Sequence, residues 1–100
     1  MEGDAWIAQK DYAKAVRAYD MGYKTEPGSA VVRGLHRALE LAGSQLEADS
    51  RLEQWLKDNP ADKEARLYLA DAYTRHGRDD LAVTQYEAVL KRDPGDLLAL

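Results

Sequence analysis

Three prolines, Pro27, Pro60 and Pro94, stand 33 and 34 residues apart, and each follows an acidic or amide residue, Glu26, Asn59 and Asp93. A proline cannot donate the backbone hydrogen bond of a helix, collides with the preceding turn, and pushes its predecessor out of the helical region. Each therefore ends a helix, and their spacing sets a period for the chain. Counted back from each proline, the same residue types recur. Twelve positions upstream stand Ala15, Ala48 and Ala82; eight upstream, Tyr19, Leu52 and Tyr86; five upstream, Gly22, Trp55 and Val89. Seventeen upstream, Gly43 and Gly77 coincide, while Lys10 takes that place in the first unit, inside Lys10-Asp11-Tyr12. Those positions read as turns.

Between turn and proline, Leu81, Ala82, Tyr86, Val89 and Leu90 recur at the spacing of one helical face, with Glu87 and Lys91 on the solvent side. Ahead of the turn, Leu69, Ala70, Ala72 and Tyr73 form a second stripe, closed by His76-Gly77, where glycine can take the left-handed conformation that ends a helix. Each unit is then helix, turn, helix. The expected helices lie near 2–9, 12–24, 30–42, 45–58, 63–76 and 79–92, with another starting at 96. The fold class is all-α, and strands are not expected: the 45 % apolar content leans on alanine and leucine, with no phenylalanine, which suits helices packed closely through small residues.

A chain of 100 residues hides only roughly 60 to 65 % of its extended surface, so the core must be thin. A net charge of −4 has the wrong sign for a surface that gains affinity by displacing counterions from phosphates, which argues against nucleic acid. No apolar run approaches the roughly 20 residues needed to cross a bilayer, and the first residues lack the pattern of a secretion signal. The lack of cysteine rules out disulfides, thiolate zinc sites and cysteine nucleophiles in this stretch, and leaves the compartment open.

The unit Lys63 to Asp96 resembles the tetratricopeptide repeat: Leu69, Ala70, Tyr73, Gly77, Ala82, Tyr86 and Pro94 stand where that family places its signature residues. It departs at Arg66, where the family often has a large apolar residue, and at Val89, where alanine is usual. The unit Ser29 to Asp62 keeps Leu35, Leu39, Gly43, Ala48 and Pro60 but puts His36 where a small residue is expected and Trp55 where alanine is, which would widen the helix spacing. A partial first unit retains Ala15, Tyr19 and Pro27. The resemblance implies one right-handed superhelical array of antiparallel hairpins over residues 1–100, divided into a partial repeat 1–28, repeats 29–62 and 63–96, and the start of another at 97–100. More narrowly, the run from Tyr23 through Ala30 to Leu39 is similar to segments of bacterial repeat lipoproteins from PEP-CTERM exopolysaccharide export systems. That likeness implies a periplasmic or envelope protein with its lipidated N-terminus outside this stretch; without it, a cytoplasmic location is the expectation. Asp96-Leu97-Leu98-Ala99-Leu100 reads as a helix N-cap with an apolar first turn, and the chain begins midway through a helix carrying Trp6 and Ile7. Both ends are expected to be cuts in a longer protein, and their apolar edges would allow a homodimer.

The family resemblance also implies a use. First helices of successive units line a concave groove that receives an extended peptide or a helix. By register that face carries Ala30, Arg33, Arg37, Glu40 and Leu41 in one unit and Glu64, Leu67, Asp71, Thr74 and Arg75 in the next. Arg33 and Arg37 lie one turn apart and could grip a carboxylate as a fork, but the matching Leu67 and Asp71 disfavour recognition of a chaperone tail. A rigid surface is ordered before its partner arrives, so binding is the natural use of such a face, although the same charges would also simply keep a helix wet.

Other residues offer no chemistry. His36 faces its own hairpin partner and His76 closes a helix; they are 40 residues apart, and no spacing resembles a metal motif, so no metal is expected. Trp6, Tyr19, Tyr23, Trp55, Tyr73 and Tyr86 fall on stripes or packing positions and read as core, with Tyr12 and Tyr68 nearer the edges. Glu47 with Arg51, Glu53 with Lys57 and Glu87 with Lys91 have the spacing of solvated surface pairs. Ser29, Ser44 and Ser50 lack a glycine-flanked elbow, and the scattered glycines build no phosphate loop. The expectation is a protein-binding scaffold with no enzyme activity and no cofactor. The alternatives are a structural spacer that stacks through its ends and a module that recruits substrate for a larger enzyme.

Overall fold

A computed structural model describes residues 2–92 of the chain. The expected stop at Pro94 and the helix from Asp96 lie outside the described residues. Six α-helices make up the described part: α1 (Glu2–Ala8), α2 (Tyr12–Thr25), α3 (Ser29–Leu41), α4 (Gln45–Asp58), α5 (Lys63–Arg75) and α6 (Asp79–Arg92). All agree with the sequence expectation to within a residue at either end. Among them, no helix is long and apolar enough to cross a membrane.

The hairpin turns show why the period works. Lys10, Gly43 and Gly77 all have positive φ, at 61°, 87° and 73°. In each turn the next N–H reaches back five residues: Asp11 to the Trp6 carbonyl, Ser44 to that of Leu39, and Arg78 to that of Tyr73, at 2.8–2.9 Å. The N–H groups of Lys10, Gly43 and Gly77 donate to the carbonyls of Ile7, Glu40 and Thr74. This pair of bonds satisfies the last carbonyls of a helix only if one residue is left-handed. Glycine meets that demand without strain, and Lys10 meets it with a Cβ in the way. New helices then start on side-chain caps where the sequence supplies them: Asp11 accepts from the Lys14 N–H at 3.2 Å, and Asp62 from the Ala65 N–H at 3.1 Å.

The chain divides into two compact units, Met1–Trp55 and Leu56–Leu100. In the first, α1 packs on α2, α2 on α3, and α1 also touches α3. Its core joins Ala15, Tyr19, Val31, Leu35, Ala38, Leu39 and Ala48, with Trp6, Ile7, Val16 and Tyr23 packed around them. The Tyr19 ring lies between Gly3 of α1 and Gly34 of α3; a Cβ built on either glycine would fall inside it. Its hydroxyl donates to Asp4. The second unit packs α5 against α6 through Ala65, Leu69, Ala70, Ala72, Tyr73, Ala82 and Val89, all buried.

Two sequence expectations need correction. The periodicity puts Leu81 on the apolar face of α6, yet it is 38 % exposed. Neighbouring helix residues point about 100° apart, and burying Ala82 and Val89 turns Leu81 to the rim. Of the six aromatic side chains expected in the core, Tyr19 and Tyr73 are fully buried, while Trp6, Tyr23, Trp55 and Tyr86 are half-buried; Tyr12 and Tyr68, expected nearer the edges, are half-buried as well. The thin core explains the difference, since a large ring reaches past one layer of helix.

Candidate functional site

On α3, the buried Val31, Val32, Leu35, Ala38 and Leu39 fix which side turns outward. Ala30, Arg37 and Leu41 are exposed, and Arg33 and Glu40 are half-buried. Leu41, at 41 % exposure, is one of a few large apolar side chains exposed among the described residues. Arg33 donates its Nε to the Ser29 carbonyl at 3.2 Å, one turn back, which anchors the side chain along its own helix.

On α5, Ala65, Leu69, Ala72 and Tyr73 face inward. Glu64, Asp71, Thr74 and Arg75 are exposed and Leu67 is half-buried. Arg75 donates its Nε to Asp71 at 3.1 Å, so two of the residues assigned to this face hold each other. The Thr74 hydroxyl turns inward along the backbone to donate to the Ala70 carbonyl at 3.1 Å. Each unit thus carries a mixed charged and apolar helix face, built from the residues the register named.

A family model described as the tetratricopeptide repeat matches residues 37–96, more than half of the chain. The chain belongs to the tetratricopeptide repeat family. Comparison with curated proteins gives no match. Membership makes the chain one of a class of helical repeat scaffolds that in general bind proteins and carry no catalytic machinery.

Where this chain leaves the tetratricopeptide pattern, the structure supplies reasons. His36, in a place usually held by a small residue, is completely buried, and its Nε2 stands 2.8 Å from Oδ1 of Asp49, itself buried on α4. This contact joins α3 to α4, and the imidazole fills the space between the two helices. A buried polar group is tolerated only with such a partner. The sequence assigned His36 to the hairpin interior but did not find Asp49, which sits between Ala48 and Ser50 with nothing local to mark it.

Trp55, in an alanine place, sets its ring edge-on to Tyr23 at 6.1 Å. Arg51, expected beside Glu47 on the surface, donates from Nη2 to Asp20 of α2 at 2.6 Å, and its guanidinium also lies over the Tyr23 ring. The Arg51 hydrogen bond holds the Asp20 carboxyl below its ordinary value against a smaller opposing effect of burial; Lys24, 3.5 Å away, adds to the lowering. The residues in this contact are 31 apart in sequence, beyond any helical spacing rule. Among the described residues, no group of three or more His, Cys, Asp or Glu could hold a metal ion.

Proposed function

We propose that this chain is a protein-binding scaffold whose first-helix faces, Arg33, Arg37, Glu40 and Leu41 on α3 and Glu64, Leu67, Asp71, Thr74 and Arg75 on α5, receive a peptide or helix of a partner protein. The repeat divisions 29–62 and 63–96 belong to this reading, since they place α3 and α5 as the first helices of their units. The observation that carries it is family membership, combined with the exposure of Arg37, Leu41, Glu64, Asp71, Thr74 and Arg75 on helices whose opposite sides are buried. Arg37 and Leu41 lie one turn apart and pair a cation with an apolar contact, and arginine is enriched among the residues that dominate interfaces. Asp71 and Arg75 exchange their mutual bond for bonds to the partner, which favours a segment carrying both charges. A role in exopolysaccharide export or envelope assembly extends the same reading through the likeness of residues 23–39 to lipoproteins of those systems.

The test is a peptide-display selection on the whole chain, followed by affinity measurement of the selected peptide. Replacing Arg33, Arg37, Asp71 and Arg75 together by alanine is expected to weaken binding by about 30-fold or more, the scale of losing two or three interface contacts, with the helical circular dichroism spectrum unchanged. Equal affinity for the variant would remove these faces from the binding site.

A further inference from the structure

The half-buried cation of the α5/α6 hairpin is the feature that neither the fold nor the helix-face reading uses. Arg66 stands at a position where the repeat usually carries a large apolar side chain. Its Nη1 donates to Gln85 Oε1 at 2.8 Å and its Nη2 to the Pro60 carbonyl at 3.0 Å. Both acceptors are neutral. Its Nε is buried and has no hydrogen-bond partner among the described residues. Burial, and after it the nearby charge of Arg92, push the guanidinium below its ordinary value, so the surroundings resist the charge instead of compensating it. Arginine nevertheless remains protonated in any such setting.

Beside Arg66 opens a cavity of about 220 Å³, lined by Pro60, Ala61, Lys63, Arg66, Val89 and Arg92. Its lining combines a proline ring, a methyl and an isopropyl group with three cations from two helices. Sites for cofactor-sized ligands run from about 300 Å³ upward; this one suits a single side chain or chain end. A lining that mixes apolar groups with cations calls for a hydrocarbon stem that ends in an oxyanion. Among groups of that size, an aliphatic carboxylate meets both demands, while inorganic phosphate would leave the apolar groups unused.

We infer that the cavity between the start of α5 and the end of α6 is a second docking point, which takes the carboxylate of an acidic side chain of a partner protein on its aliphatic stem. It rests on the protein-binding reading only for the source of the carboxylate, and it uses none of the nine residues assigned to the helix faces. An entering carboxylate accepts from Arg66 and offsets the mutual repulsion of Arg66 and Arg92.

The test uses the whole chain with three probes: N-acetyl-Leu-Leu-Glu-amide, the same peptide with glutamine, and inorganic phosphate. The Arg66 Nε–H resonance, followed by nuclear magnetic resonance, reports the site directly. The glutamate peptide is expected to shift it saturably, with affinity at least about tenfold above that of the glutamine peptide, the scale of one charge-assisted hydrogen bond. Arg66→Leu, which restores the apolar residue common in the family and should fold, is expected to abolish binding, and Arg33→Ala with Arg37→Ala to leave it unchanged. Equal binding of the two peptides, full binding by Arg66→Leu, or a phosphate response as large as that of the glutamate peptide would each overturn the assignment. So would binding that appears only after Asp93 and Asp96 are changed to asparagine, because the cavity would then belong to the chain's own acids. Loss of binding in Arg33→Ala with Arg37→Ala alone would point to the α3 face instead.

Discussion

The α3/α4 and α5/α6 hairpins follow one register, yet they place their polar groups in opposite places. In the first, the hairpin interior holds the buried His36–Asp49 pair, while Val32, near the start of α3, is fully buried and apolar. In the second, the residues thirty-four positions on are Ala70, buried, and Val83, which is 51 % exposed; the counterpart of Val32 is the half-buried Arg66. Arg51 of the first pairs with Asp20, and its counterpart Gln85 accepts from Arg66. Gly34 admits the Tyr19 ring, and its counterpart is Tyr68. The lesson is that the repeat's backbone depends on a few small and turn residues, and the interior between them accepts either apolar packing or a satisfied polar pair.

The comparison breaks most sharply at His36. Replacing His36 by alanine leaves Asp49 buried without the imidazole and is expected to destabilise the chain by about 3 to 5 kcal/mol, the usual penalty for breaking a buried pair. Changing His36 and Asp49 together to leucine should recover most of that loss in urea unfolding. If the single and double variants unfold alike, the pair is not what holds α3 to α4.

Gly34 gives the next largest effect. Alanine there gains about 1 kcal/mol of helix propensity. Its Cβ, however, would enter the Tyr19 ring, and overpacking of this kind costs about 1 to 3 kcal/mol, so a net loss is expected in thermal unfolding. Tyr68→Ala, at the matching register, should lack this steric signature. Gly34→Ala combined with Tyr19→Leu should be milder than the glycine change alone, which tests the ring as the cause.

The turns sharpen the comparison in the other direction. Lys10 adopts the left-handed conformation that Gly43 and Gly77 take freely. Lys10→Gly is expected to stabilise the chain by about 1 kcal/mol, set by the usual cost of a Cβ in that region. Gly43→Ala or Gly77→Ala should destabilise by a similar amount. An unchanged melting temperature for Lys10→Gly would show that the first turn tolerates its strain differently from the other two.

The smallest effect is electrostatic. The Asp20 carboxyl is held below its ordinary value of 3.8, so its contact with Arg51 contributes stability that is complete above pH 4 or so and disappears as the pH falls through the depressed value. Both side chains are about one-third exposed, and such pairs contribute about 0.2 to 1 kcal/mol. Asp20→Asn should therefore lower stability slightly at pH 7 and show a shallower loss between pH 5 and pH 2 than the unaltered chain.

The proline period, the alanine and glycine register and the amphipathic stripes were enough to place all six helices within a residue or so and to name the family. Those features act within one helix or one turn, where backbone sterics and a 3.6-residue repeat decide the outcome almost without help from the rest of the chain. Which side of α3 and α5 turns outward was legible for the same reason: once the buried side is known, the exposed side follows. Asp49 beside His36, Asp20 beside Arg51, the Tyr19 ring between two glycines and the cavity around Arg66 were not legible. Each joins residues that no local spacing connects, and a lone Asp, Arg or Gly in a helix reads the same whether it faces solvent or a neighbouring helix. The sequence by itself determined a run of helix pairs with fixed turns. Only the packing of one helix on another decided where the polar groups went, because the free energy of burying a charge or a ring depends on which atoms are brought against it.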